Sequence, residues 1–279
     1  MRSIAISNQK GGVGKTTATV NLGACIAELD SNVLLVDMDP QSNLTMHLGL
    51  ELDREEASVY TLMHGDSSLE DTICTTDVDG LYLIPSNIDL AGMEVELSGE
   101  TEGRETHLAS ALGGCEKAFD YIIIVCPPSL GLLTLNSMCA VREIFIPLQT
   151  EFFALQGLGR LMDTVELVQS GLDHPVAVTG IIPTMFDVRT SLAKEVLADI
   201  REHFGDIVFD TVIRKNVRLA EAPGFGVPII EYETNCYGTE DFRSLAREVT
   251  AMEGDWKDLP VDDDSAPPLP TQRETTARA

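Results

Sequence analysis

Between an apolar run, Ser3–Ser7, and a stretch of helical periodicity opening at Lys15-Thr16-Thr17 lies the segment Asn8–Gly14, which carries Gly11, Gly12 and Gly14. A strand that enters a glycine-rich turn and passes straight into a helix is the order that a phosphate-binding loop requires. Glycines let the backbone curl until successive N–H groups converge, and the helix N-terminus adds a partial positive charge. Lys15 then reaches the outer phosphates of a nucleotide and the Thr16 hydroxyl coordinates magnesium. Gly11, Gly12, Val13, Gly14, Lys15, Thr16 and Thr17 are therefore the expected binding segment. A chance glycine turn is the alternative, and the agreement of strand, loop and helix argues against it.

Further apolar runs suited to buried parallel strands recur at Val33–Val36, Leu81–Ile84, Tyr121–Val125, Ile144–Pro147 and Ala177–Ile182. Helical periodicity separates most of them, at about Thr16–Leu29, His107–Lys117, Leu133–Val141, Ala154–Leu172, Ser191–Phe204 and Gly238–Met252. This alternation predicts an α/β fold, a doubly wound and mostly parallel sheet with helices on both faces. Ligands of such sheets bind at the carboxyl ends of the strands, where the glycine-rich loop falls. Residues 1–253 read as one domain. From Gly254 to Ala279 the chain turns to Asp, Pro and Thr with little to bury, which predicts an acidic, Pro-rich disordered tail.

Composition narrows the setting. The chain enters a strand pattern without a basic leader and holds no apolar run long enough for a membrane span, so a cytoplasmic protein is expected. Against 45 acidic residues stand 19 basic ones, a formal charge of −26. Such a field repels nucleic acid at low ionic strength and is screened at high salt, which points to a halophilic host; an ordinary acidic protein is the alternative. Six scattered cysteines without a C-x-x-C pair are read as reduced. The five histidines show no metal-ligand spacing.

A second lysine, Lys10, precedes the glycines, and an ordinary phosphate loop has no need of it. Lys10-Gly11-Gly12-Val13-Gly14-Lys15-Thr16 resembles the deviant Walker A ATPases, the ParA/MinD group of P-loop proteins. The resemblance implies ATP and Mg2+ as cofactors, with Lys10 crossing to a partner's phosphates so that a homodimer forms on ATP. Asp37-Met38-Asp39-Pro40-Gln41 ends the second strand, and its two carboxylates fall on one side if the strand continues. By resemblance Asp39 orients the attacking water while Asp37 supports the metal and phosphate site, so that Thr16 and Asp37 are the metal residues and Lys10, Lys15 and Asp39 the catalytic ones. The third family element departs from its pattern. In Tyr121-Ile122-Ile123-Ile124-Val125-Cys126-Pro127-Pro128-Ser129, Val125 stands where an aspartate belongs, and Asp120 lies roughly 16 Å away along the strand.

Within that group, Thr184-Met185-Phe186-Asp187, Asn216–Pro223 and Gly226–Ile230 are similar to ParA/Soj partition proteins. This implies an ATPase that binds DNA nonspecifically, answers to a ParB-like activator and acts in chromosome or plasmid partitioning, nucleoid-associated when ATP-bound. Arg214, Lys215 and Arg218 form the densest basic cluster, Arg189 is a further candidate, and such cations contact phosphates without reading bases. Isolated cations paired with acids such as Glu221 are the alternative. Asn216 is expected beside the adenine. A MinD-like positioning ATPase would carry a basic amphipathic C-terminal helix, and this acidic end disfavours membrane binding. Nitrogenase-type iron proteins place a cluster cysteine where Leu132 stands. The remaining rival is a nucleotide-gated dimeric module with little hydrolysis, favoured by Val125.

Overall fold

The computed structural model describes residues 1–151 and 158–252. The expected disordered tail, and the first residues of the helix expected from Ala154, lie outside the described residues.

Seven strands form one sheet: β1 Arg2–Ile6, β2 Val33–Asp37, β3 Cys74–Thr75, β4 Leu81–Ile84, β5 Tyr121–Val125, β6 Glu143–Gln149 and β7 Ala177–Thr184, in the order β3-β4-β2-β5-β1-β6-β7. All neighbours pair parallel except β3 with β4, an antiparallel edge of two residues. β1 sits inside the sheet between β5 and β6, so the loop that leaves its carboxyl end is flanked by strand ends on either side. That placement is what a ligand cleft at a topological switch point requires.

The strand interiors are mostly apolar because both faces are covered. Leu34, Val36, Ile122 and Ile124 face one buried cluster, while Val33, Leu35, Ile123 and Val125 face the other. On the second face lies α1, Lys15–Ala27, which is buried along nearly its whole length beneath α12, Tyr237–Ala251. Arg243 on α12 donates to both oxygens of Glu28, at 2.7 and 2.6 Å, which ties the two helices at their surface.

Between β2 and β5 come short helices: α2 Asn43–His47, α3 Val59–His64, α4 Leu69–Thr72, α5 Leu90–Ser98 and α6 His107–Ala111. The expected helix His107–Lys117 is divided. Gly114 takes a left-handed φ of 94°, which stops α6 and restarts the chain as a 3-10 turn at Cys115–Lys117. The later helices are α7 Leu132–Cys139, α8 Leu158–Gly171, α9 Ser191–Phe204, α10 Val217–Glu221 and α11 Ile229–Tyr232. Among the described residues no helix is long and apolar enough to cross a membrane.

Candidate nucleotide site

The glycine-rich loop is open on its inner side. Gly12 and Gly14 adopt φ values of 74° and 94°, which side chains with a Cβ rarely take, and no atom lies within 4 Å of where a Cβ would stand on Gly11, Gly12 or Gly14. Lys15 begins α1 and folds back so that its Nζ donates to the Asn8 carbonyl at 2.9 Å. Burial lowers the Lys15 pKa, while Cys126 and Asp39 act in the opposite sense. Gly11, Gly12, Gly14, Lys15, Thr16 and Thr17 line a cleft with Asp39, Gln41, Asn43, Pro128 and Met185. An ammonium, a hydroxyl, a carboxylate and an uncluttered turn of backbone fit a magnesium-bound polyphosphate.

The two carboxylates of Asp37-Met38-Asp39 separate. Asp39 lines the cleft, with one oxygen accepting from Gln41 N at 3.0 Å. Asp37 is fully buried and is not part of that lining: Asp39 N donates to one oxygen at 3.1 Å, and Thr45 N and Oγ1 donate to the other at 2.9 and 2.8 Å. Its geometry is that of a brace for the turn that carries Asp39, not of a direct metal ligand. Burial pushes Asp37 up from 3.8 to about 6, although these hydrogen bonds favour its ionised form. Between those two values the folded chain holds a proton that the unfolded chain has released, so stability should fall as pH rises from about 4 to 6 and stay level above. The stability difference between wild type and Asp37→Asn, followed by denaturant unfolding across that range, should decline with rising pH; a flat difference would show that the carboxyl is unshifted.

Val125 ends β5 with Asp37 of β2 beside it on one side and Ile6 of β1 on the other. It is buried in the apolar cluster under α1 and offers no oxygen to the cleft. Asp120 stands at the far end of the same strand, where its carboxylate accepts from Asn32 N at 2.8 Å.

Lys10 is not among the residues that line the cleft of its own chain. Its side chain is 44% exposed, and the ammonium pairs with Glu151 at 3.3 Å. Beside the cleft is a second, largely apolar cavity of about 400 Å³, lined by Val13, Thr17, Ile213, Asn216, Leu219 and Phe242 among others. Asn216 caps α10, its side-chain oxygen accepting from Arg218 N at 2.9 Å.

The basic cluster is largely paired with acids. Arg214 donates to Asp241 and packs 4.2 Å over the Tyr237 ring, Arg218 pairs with Glu221 at 2.8 Å, and Arg189 pairs with Asp187 at 2.7 Å. Lys215 and Arg218 are exposed, and Arg189, Arg214 and Lys215 meet around one surface hollow with Tyr237. Three of the four cations, Arg189, Arg214 and Lys215, thus share one hollow, where Arg214 is tied to α12, while Arg218 stands on α10 paired with Glu221. Sequence reasoning missed Gln41, Asn43, Pro128 and Met185 as lining residues, although the first lies in the quoted turn and the last in the quoted Thr184–Asp187 segment.

The strand, phosphate loop and buried helix on a doubly wound sheet, with a lysine ahead of the glycines, define a P-loop protein of the deviant Walker A class. A family model described as an AAA domain matches residues 1–178. The chromosome-partitioning ATPase Soj of Treponema pallidum is 47% identical over 253 residues, covering 91% of this chain and 98% of its own. The sporulation initiation inhibitor protein Soj of Bacillus subtilis is 49% identical over 248 residues, covering 89% and 98%. Among solved structures, cobyrinic acid a,c-diamide synthase from Mycobacterium smegmatis with bound ATP analogue and magnesium superposes with a TM-score of 0.79 at 35% identity, covering 94% of this chain and all of that one. The chain belongs to the Soj/ParA family of chromosome-partitioning ATPases.

Proposed function

We propose that this chain binds Mg-ATP, dimerises on it, holds DNA nonspecifically in that state, and is released when a ParB-like partner promotes hydrolysis. The observation that carries the reading is the glycine loop whose cleft is lined by Lys15 and Thr16, while Lys10 pairs with Glu151 outside that lining. In this account Lys15 binds the outer phosphates, Asp39 orients the attacking water, and Asn216 flanks the base in the adjoining apolar cavity. Thr16 would hold magnesium through its hydroxyl, and Asp37 braces the turn that carries Asp39. Magnesium, when bound, neutralises phosphate charge. Lys10, free of its own cleft, is placed to serve a partner's. Catalysis then rests on positioning and charge stabilisation at the γ phosphate.

A second reading, a nucleotide-gated module with slow turnover, is favoured by Val125, whose apolar side chain occupies the strand end beside Asp37. Phosphate release from the purified chain in high salt with Mg-ATP, with and without DNA and partner, separates the two. Stimulation by DNA and partner supports the partition cycle, and release that stays at background supports the gated module.

DNA contact is assigned to Arg218, Lys215, Arg189 and, with its tie to Asp241 kept, Arg214. Arg218→Glu should weaken DNA retention about tenfold, since it loses a phosphate contact and adds repulsion, while ATP-dependent dimerisation persists. Full retention by Arg218→Glu, or binding indifferent to salt, would move the contact elsewhere.

A further inference from the structure

β6 and β7 end side by side, with Gln149 opposite Thr184 in the parallel register. Both side chains reach back to the glycine-rich loop, more than a hundred residues away in sequence. Gln149 Nε2 donates to the Gly12 carbonyl at 3.0 Å, and Thr184 Oγ1 donates to the Val13 carbonyl at 2.9 Å. Both residues are buried, at 9% and 4% exposure. A trans peptide is planar, so its C=O and N–H point in opposite directions. Holding the carbonyls of Gly12 and Val13 toward the ends of β6 and β7 therefore turns the N–H groups of Val13 and Gly14 the other way. Among the described residues no backbone carbonyl accepts from either of those N–H groups outside the regular elements. Gly12 and Gly14 leave the loop torsions permissive, so an external hold is what selects one arrangement.

We propose that Gln149 and Thr184 are paired positioning residues, which pre-set two successive peptides of the phosphate loop by anchoring their carbonyls. The same Gln149 amide also donates to Met185 Sδ at 2.9 Å. Met185, held at a φ of 53°, lines both the phosphate cleft and the apolar cavity. One cross-strand pair thus contacts both the loop and a residue that lines the two compartments. The proposal rests on the nucleotide-binding reading above and adds to it the device that orients the donors.

Calorimetric titration of the full chain with Mg-ADP tests this. Thr184→Val keeps the shape and removes the donor, and Gln149→Leu removes the amide. Each should weaken binding about fivefold or more, the range expected for one hydrogen bond. Thr184→Ser keeps the hydroxyl and should stay within about twofold of wild type, a rescue that hydroxyl donation alone explains. Wild-type affinity in Thr184→Val, or equal weakening in Thr184→Ser, overturns the proposal. Should Thr184→Val fail to fold, wild-type affinity in Gln149→Leu overturns it as well. A wild-type chain that binds no Mg-ADP refutes the nucleotide reading itself, a result distinct from loss of the anchoring effect.

Discussion

Lys15→Ala should lose measurable Mg-ATP binding, a fall of at least about a hundredfold in affinity, whereas Lys10→Ala should bind Mg-ATP as wild type does and fail to dimerise on it. The two lysines stand five residues apart and face different ways. Lys15 is buried with its ammonium against the Asn8 carbonyl and is, among the described residues, the one cationic side chain lining the cleft, so its removal takes the protein's ammonium away from the outer phosphates. Charge-assisted hydrogen bonds are worth about 1.5–3 kcal/mol each, and one ammonium serving two phosphates accounts for the size of the loss. The Lys10 ammonium pairs with Glu151 at the surface, so its absence costs the isolated chain an exposed ion pair of small worth. Calorimetry reads the first effect and light scattering the second. A Lys10→Ala protein that still dimerises on ATP would remove the role of that lysine across the interface.

Val125→Asp should raise the single-turnover hydrolysis rate in saturating Mg-ATP by about tenfold or more, while lowering the stability of the ligand-free chain. Val125 ends its strand beside Asp37, so the added carboxylate would sit next to one that burial already holds up at about 6. Two neighbouring buried carboxylates disfavour ionisation of both, and the ligand-free protein bears that cost. With Mg-ATP bound, an aspartate at this strand end would supply acceptors for the ion's waters, since magnesium needs few protein ligands but gains from oriented acceptors. Interactions that strengthen as charge develops raise turnover more than affinity. Quenched-flow measurement of phosphate release decides this. Equal rates in the two proteins would show that Asp39, or the Asp37 brace behind it, already supplies what the strand end lacks.

Local features of the sequence were legible and long-range ones were not. Ser191–Phe204 and Leu81–Ile84 have the bounds that periodicity and apolar runs predict, because burial on one face of a helix or both faces of a strand marks every turn or residue. The glycine loop is legible for the same reason, since strand, turn and helix adjoin. The helices at Asn43–His47 and Val59–His64 escape that reading because five or six residues cannot display a period, and their ends are set by contacts. Thr45 on the first is fastened to Asp37, and Ser58 and Thr61 form a capping box on the second. The two-residue antiparallel edge at Cys74–Thr75 is too short for any pattern.

Within the site, Lys15 and Thr16 can be picked out by type and spacing, and Lys10 and Asp39 through the family resemblance, but the burial of Asp37 depends on what packs over it. Arg214 is visible as a cation, and its tie to Asp241, 27 positions later, is not. Gln149 and Thr184 lie 137 and 171 residues from the carbonyls they hold, so no spacing announces them. Such contacts exist only once the parallel sheet has brought β6 beside β1 and β7 beside β6.

Retention of the purified chain on immobilised nonspecific DNA, measured in high salt with Mg-ATP, with Mg-ADP and without nucleotide, tests the central claim most directly. The account predicts retention with Mg-ATP alone, its loss in Lys10→Ala with Mg-ATP still bound, and a decline as salt rises further. Retention that is the same with and without nucleotide, or that survives in Lys10→Ala, would contradict it.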